Sequence, residues 1–468
     1  MFDSVFDRNG IIFRSTVAAC VLSALFLIWS HRFLPISDYP DWMFEGSIVA
    51  ELIHGKAPAS YSFKHYPVPY AATVALLGLL DLVFPAEVSG KIVLSLCIIL
   101  FALSSTYLLK SLRPDTKSPL LLLPPLFLLN TYFFWGELAY LFSLSFFFLY
   151  CGYLFRRVYQ SKPINWWMVC GASIAMFFCH FLPYAAAILV TLTFLLAESR
   201  TSLIRRFLIS FAPSLGLTIW YAIERSSLKQ LSAMWEFWTL HQFAGRWIAA
   251  FSPFPEFLPW LGIQAPEMKI FAVLNLLVAI AVALTLPLCL AWARTRHQYA
   301  GVLASAVVCG IAVVACGYEF EGMVSPGERF LYPAVWIALC WLVGAQLPAD
   351  DSPVNRGLTL SFIGLLACQA VFMQTDVAAV STELAAVYAK LSSATSQADF
   401  CATYDTYLRQ SWDEPHRKGL DVLLTNHASA PRLPYYLYVE RKTEAPIFSI
   451  GILNYSGDGD NEDLCRSP

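Results

Sequence analysis

The chain has 468 residues, of which 57% are hydrophobic and only 14% charged, with a net charge of −2. Soluble globular domains carry about 25% charged residues, so this deficit, with a mean hydropathy of +0.57, excludes an ordinary soluble domain. The balanced charge and the lack of a basic stripe argue against nucleic acid as a partner.

The first apolar segment, roughly 16–34, is too long for a signal-peptide core. No small-residue cleavage site follows it, so it reads as a retained first helix. Loop 35–67 then places Asp38, Asp41, Glu45 and Glu51 directly after that helix. Residues 41–54 have helical spacing, with Phe44, Ile48, Val49 and Leu52 on one side. Asp41 and Glu45 share a face, while Asp38 precedes the helix near its N-cap. A carboxylate at a membrane surface beside an apolar cavity can work as a general base. The same acids also read as caps in a solvated loop.

Segment 68–84 is bounded by Pro67, Pro69 and Pro85 and carries Asp81. Segments 91–109 and 119–133 follow, then a polar turn running from Asn130 to Glu137 (NTYFFWGE). Polar groups at segment ends in a membrane are functional candidates, with helix capping as the plainer alternative. After segment 137–155, the stretch 166–197 holds His180 and Pro183 near its middle and is expected to turn there as a short hairpin. Segment 207–222 leads into loop 223–267, rich in Trp, Phe and Pro and carrying Glu236, His241 and Arg246. Such a loop either lies in the interface or roofs a lipid or sugar site.

Segments 268–291 and 299–316 precede YEFEGMVSPGER, in which Arg329 opens the apolar segment 329–347. An arginine there can hold a phosphate bidentately, or pair with Glu319, Glu321 or Glu328. The last segment is 357–374. In the tail 375–468, Val380, Leu384, Val387 and Leu391 have helical spacing, and 435–439 and 447–453 read as strands. Of twelve cysteines, ten lie in or beside apolar segments; Cys401 and Cys465 lie in the tail, either paired, if that side is oxidising, or as free thiols.

A crossing needs about 20 apolar residues. Basic loops at 110–117, 156–162, 200–206, 294–297 and around Arg356 read as cytoplasmic. With the N-terminus also cytoplasmic, parity leaves 68–84 with no net crossing, so it reads as re-entrant or interfacial. The expected fold is an all-α polytopic membrane protein of about eleven transmembrane helices plus that segment. Residues 1–374 form the membrane domain and 375–468 a small α+β extracytoplasmic tail. No Walker A, G-x-G-x-x-G, H-E-x-x-H or G-x-S-x-G pattern occurs.

In order along the chain stand Asp38-Tyr-Pro-Asp41, an amphipathic stretch ending at Gly55, His65-Tyr-Pro-Val-Pro69, the turn Asn130–Glu137 and Arg329-Phe-Leu-Tyr-Pro333. This ordered set resembles the GT-C superfamily of polytopic glycosyltransferases, which includes protein O-mannosyltransferases and lipid A aminoarabinose transferases. The last motif is like the superfamily's R-Y-x-x-P. The resemblance covers residues 1 to about 375 by layout. Each motif is weak singly, and the first loop lacks a clean Asp-Glu pair. The second turn has Asn and Glu where many members place Asp.

The resemblance implies a sugar donor on a polyprenyl phosphate, drawn from the bilayer. It implies inverting hexosyl or pentosyl transfer to a hydroxyl on a glycan, lipid or protein acceptor. Asp38, or else Asp41, would be the base. Arg329 would meet the leaving phosphate, with His180, Glu137, Asn130, His65 and Glu45 around the substrate. A divalent cation, Mg or Mn, would fall to Asp38, Glu137 and His180. The expected location is a bacterial inner membrane with the C-terminus outside. A transporter or flippase, a ligase or polymerase of lipid-linked glycans, and a non-catalytic subunit of the same shape remain open alternatives.

Overall fold

The computed structural model describes residues 8–57, 61–228, 235–254, 269–294, 298–320, 323–345, 353–394, 399, 401–403 and 453–455. The chain opens with α1 (Arg8–Ser30), α2 (Tyr39–Ile53), strand β1 (Tyr61–Phe63), α3 (Ala71–Asp81) and α4 (Ala86–Leu109). Pro40 sits in the first turn of α2, where its missing N–H has no helical partner to lose. α3 has 11 residues, about 17 Å at 1.5 Å per residue, too short for a hydrocarbon core about 30 Å thick. Gly46 of α2 and Gly78 of α3 let these two helices meet closely. A methyl on Gly46 would stand 2.6 Å from the Leu77 Cβ, and one on Gly78 would meet Val49.

The expected segment 119–133 is not one helix. It is a 3₁₀ turn (Pro119–Leu122), α5 (Leu123–Leu126) and α6 (Thr131–Trp135). Pro119, Pro124 and Pro125 withdraw backbone donors and crowd the preceding turn, which breaks the run. α7 (Leu138–Tyr159), α8 (Trp166–Cys179) and α9 (Phe181–Ala197) follow. The expected turn at 180–183 shrinks to His180 alone, extended at φ −164° and ψ 130°. Pro183 is absorbed in the first turn of α9.

After α10 (Ile204–Leu228), the aromatic loop supplies β2 (Trp235–Glu236) and α11 (Leu240–Ala250). α12 (Lys269–Ala283) and α13 (Thr285–Ala293) part at Leu284. Pro287 accounts for the break, because its nitrogen cannot donate to the carbonyl of Ala283. α14 (Ala300–Ala315), β3 (Glu319–Phe320), β4 (Met323–Val324), a 3₁₀ turn (Gly327–Phe330), α15 (Leu331–Gly344) and α16 (Pro353–Ser392) complete the helical body. β2, β3 and β4 form a small antiparallel sheet that joins the aromatic loop to the segment before Arg329.

Among the described residues, six helical stretches are long and apolar enough to cross a membrane: α1, α4, α7, α10, the α12–α13 pair and α16. The other apolar helices, α3, α8, α9 and α14 among them, are shorter. The chain is an all-α, multi-pass membrane protein. Burial sorts the long helices: 83% of the apolar window of α7 is buried against 17% for α1 and 22% for α10. α7 is therefore the central post, packed on α4, α8 and α9. Leu22 and Phe26 of α1, and Ile219 of α10, stay exposed. A contiguous apolar outer surface of this kind suits lipid, not water.

α16 runs unbroken for 40 residues, about 60 Å, through position 374, where the membrane domain was expected to end. The apolar residues Val380, Leu384, Val387 and Leu391 are the buried side of this same helix. Gln374 donates to the Ser23 carbonyl of α1 at 2.9 Å, and the Tyr388 ring lies 4.9 Å from that of Phe33. From the tail, β5 (Leu453–Tyr455) returns to pair antiparallel with β1. The expected strand 435–439 lies outside the described residues. Cys401 is disulfide-bonded, while Cys465 lies outside the described residues.

Candidate functional site

The first loop and the second polar turn form one unit. Ser37 N donates to the Phe134 carbonyl at 2.8 Å, and Asp38 N to that of Trp135 at 3.2 Å. The Trp42 indole donates to the Gly136 carbonyl at 2.8 Å. Gly136 closes α6 in the left-handed region, φ 80°, where glycine alone carries no steric cost. A Cβ on Gly136 would lie 2.6 Å from Asp38 N, so the approach needs glycine twice over.

Glu137, the next residue, heads α7 and accepts a hydrogen bond from Nη2 of Arg329. The Arg329 guanidinium also stands 5.2 Å from the Tyr132 ring and 5.1 Å from the Tyr140 ring, at cation–π distance. The Tyr140 hydroxyl donates to the Arg329 carbonyl at 3.0 Å. Burial opposes the charge on Arg329, but Glu137 and Glu328 outweigh it and hold the guanidinium pKa above its ordinary value. Nη1 of Arg329 is buried without a hydrogen bond.

A second ion pair faces the first. Nη1 of Arg246, on α11, lies 3.7 Å from Oε2 of Glu328, and its guanidinium sits 5.0 Å from the Trp135 ring. Glu328 is 1% exposed, far deeper than Glu137 at 27%. Burial raises its carboxyl pKa despite the pull of Arg329 and Arg246.

His180 is buried at the junction of α8 and α9. Its Nδ1 accepts from the Leu182 amide at 3.2 Å, so the neutral ring carries its proton on Nε2. The rings of Tyr70 and Tyr140 meet it edge-on at 4.7 and 5.4 Å.

These groups surround a cavity of about 290 Å³. Glu137, His180, Arg246, Glu328 and Arg329 line it, together with Tyr70, Trp135, Leu182 and Ser325. Tyr70 and Ser325 are two of five non-glycine residues at positive φ among the described residues, at 78° and 53°. Backbone strain of this kind gathers at functional sites. The Ser325 hydroxyl is buried without a hydrogen bond. A separate apolar groove of about 490 Å³ runs between α11, α12–α13, α14 and α15. Phe243 and Trp247 of α11 line that groove, and Arg246 of the same helix lines the polar cavity.

Of the residues expected at a site, Glu137, His180 and Arg329 converge. Asp38 is not in the cavity wall: its amide is bonded to the carbonyl of Trp135, which is, and its carboxylate accepts from the Ser37 hydroxyl at 3.0 Å. Asp41 and Glu45 are buried on α2 and do not line the cavity. Glu45 acts on Lys64, whose pKa burial lowers while the Glu45 charge resists. Asn130 is a cap, its Oδ1 accepting from Phe133 N and its Nδ2 donating to the Phe127 carbonyl. It does not line the cavity. His65 is exposed and pairs with Glu224 at 3.3 Å, off the cavity wall.

The residues named for a divalent cation do not fit one. Among the described residues no group of three or more His, Cys, Asp and Glu side chains is placed to hold a metal ion. Glu137 is turned to the Arg329 guanidinium instead. Sequence reasoning did not single out Tyr70, Ser325 or Glu328 as cavity groups. The adjacency of Glu328 to Arg329 was the one available signal.

The cavity offers two guanidiniums, an imidazole N–H and a hydroxyl to one space, a donor set suited to an oxyanion. No family model, curated protein or solved structure matches this chain.

Proposed function

We propose that this chain is a membrane glycosyltransferase of the GT-C kind. It moves one sugar from a polyprenyl phosphate to an acceptor hydroxyl on the extracytoplasmic face. The observation that carries this reading is Arg329, set at the head of α15 by Glu137 and two tyrosine rings, with Nη1 unbonded at a polar cavity. A phosphate leaving group needs a fixed cation and no general acid. Arg329 and Arg246 supply the cations, and the groove lined by α11 accommodates an apolar chain beside them.

In this reading the acceptor hydroxyl gives its proton to Asp38, whose amide is bonded to the cavity residue Trp135. The oxygen attacks the anomeric carbon as the bond to the phosphate oxygen breaks, inverting the centre. The phosphate leaves as an anion onto Arg329, and the Nε2 proton of neutral His180 orients a sugar hydroxyl. Asp41 is the other candidate base, deeper on α2. The finer topology is part of the same proposal: about eleven crossings, N-terminus in the cytoplasm and C-terminus outside, in a bacterial inner membrane. The disulfide at Cys401 supports that side, since such bonds persist in oxidising compartments.

The test is sugar transfer in proteoliposomes supplied with a panel of radiolabelled polyprenyl-phosphate sugars. Wild type should transfer one of them, and Asp38→Asn and Arg329→Met should each lose at least about a hundredfold, as expected for a base or a charge stabiliser. Full activity in Asp38→Asn and Asp41→Asn alike would remove the first loop from the chemistry.

A further inference from the structure

The charged groups of the cavity raise a difficulty that the chain itself resolves. Arg246 and Arg329 are matched there by Glu137 and Glu328, so the four side chains sum to zero. A site without net positive charge is poorly suited to a phosphate dianion. One of the two carboxylates is held differently from the other. Glu137 accepts a hydrogen bond from Arg329 and is 27% exposed. Glu328 is 1% exposed, and Nη1 of Arg246 stands 3.7 Å from its Oε2.

We propose that Glu328 takes up a proton from water when an oxyanion enters this cavity, and that the resulting carboxylic acid donates its O–H to the anion. The inference rests on the glycosyltransferase reading for its ligand, a phosphate on a lipid, but its chemistry concerns only the anion. The step balances: one proton leaves solvent, the carboxylate becomes neutral, and the cavity changes from zero to +1 as the anion arrives.

The groups facing Glu328 set the direction. Arg246 from α11 and its neighbour Arg329 favour the carboxylate, and an anion bound between them would cancel that support. Glu137 from the head of α7 opposes it, while the Tyr132 hydroxyl, from α6, favours the carboxylate. Burial already raises the Glu328 carboxyl, and an added negative charge pushes it in the same direction. A glutamic acid with an O–H can bond an anion, whereas a carboxylate in the same place repels it.

The test is calorimetry on the full chain in detergent near neutral pH, repeated in two buffers of different ionisation enthalpy to count protons. The probes are inorganic sulfate, which does not titrate in this range, and a short prenyl monophosphate. Wild type should take up close to one proton per sulfate, and its affinity should fall by about tenfold per pH unit where the linkage is complete. Glu328→Gln should still bind, through its amide N–H, with no proton taken up and a flat pH profile. If only the prenyl monophosphate binds, the difference in proton count between wild type and Glu328→Gln reads the same coupling and names a lipid headgroup as the source. Sulfate binding to wild type without proton uptake, or equal uptake in Glu328→Gln, overturns the proposal and leaves the glycosyltransferase reading standing. Failure of both probes to bind wild type overturns the anion site and that reading together.

Discussion

Replacing Gly136 by alanine tests the junction on which the site is built. The residue sits at φ +80°, and its added Cβ would meet Asp38 at N, Cβ and Cα between 2.6 and 2.9 Å. Left-handed backbone costs a non-glycine residue roughly 1–2 kcal/mol, and overpacking a filled site typically adds about 1–3 kcal/mol. The sum is about 2–5 kcal/mol, large beside a typical stability of about 5–15 kcal/mol. The neighbour cannot yield cheaply, because two of the three atoms are backbone and Asp38 N is bonded to the Trp135 carbonyl. Thermal unfolding in detergent, followed by tryptophan fluorescence, should show a clear fall in Tm for Gly136→Ala. Gly171→Ala is the matched control: that glycine lies within α8 with nothing inside 4 Å of the added Cβ. There alanine should hold or raise Tm, since helix propensity favours it by about 1 kcal/mol. Equal Tm values for the two variants would refute the close approach of the first loop to Gly136.

The Glu137–Arg329 pair should show a coupling of about 1–3 kcal/mol in a double-mutant cycle of Glu137→Gln and Arg329→Met, read from unfolding midpoints; additive effects would mean the pair does not form. In transfer assays Glu137→Gln should cost much less than Arg329→Met, because Glu137 positions the cation and does not meet the leaving group. For Glu328 the folded carboxyl titrates above its unfolded value, so the folded state holds the extra proton. Stability should therefore decline as pH rises from the ordinary carboxylate range through the raised value. Glu328→Gln should flatten that decline in a Tm-against-pH series, and an unchanged slope would assign it to another group.

Much of this architecture is written locally. The helix over 41–54 was legible from its apolar spacing, and the structure places α2 at Tyr39–Ile53. The interruption at His180 was legible from Pro183, and the parity of the basic loops left the Pro-flanked segment 68–84 without a crossing, where the structure has the 11-residue α3. Other features were available but underweighted. Pro119, Pro124 and Pro125 should have argued against a single helix over 119–133, and no breaker stands at 374 to end α16. The site is a different matter. Arg329 meets Glu137 across 192 positions, and Arg246 reaches Glu328 through packing of α11, so no spacing rule connects them. Asn130 illustrates the opposite error: a polar residue at a segment end, read for chemistry, whose bonds all go to its own turn. The left-handed backbone at Tyr70 and Ser325 follows from tertiary contacts that neither residue type announces.

The pairing of β1 with β5 bears on the order in which the protein can be made. β1 belongs to the first loop, which leaves the ribosome early, while β5 is the last strand among the described residues. Tyr61 finds Tyr455, and Phe63 finds Leu453, only after nearly the whole chain has been synthesised. A nascent chain can thus make helices α1 to α16 and still present an open strand edge beside α2. Completion of this two-stranded sheet waits until Leu453–Tyr455 has been made, and a product truncated before Leu453 would carry every residue that lines the cavity without the strand that pairs with its first loop.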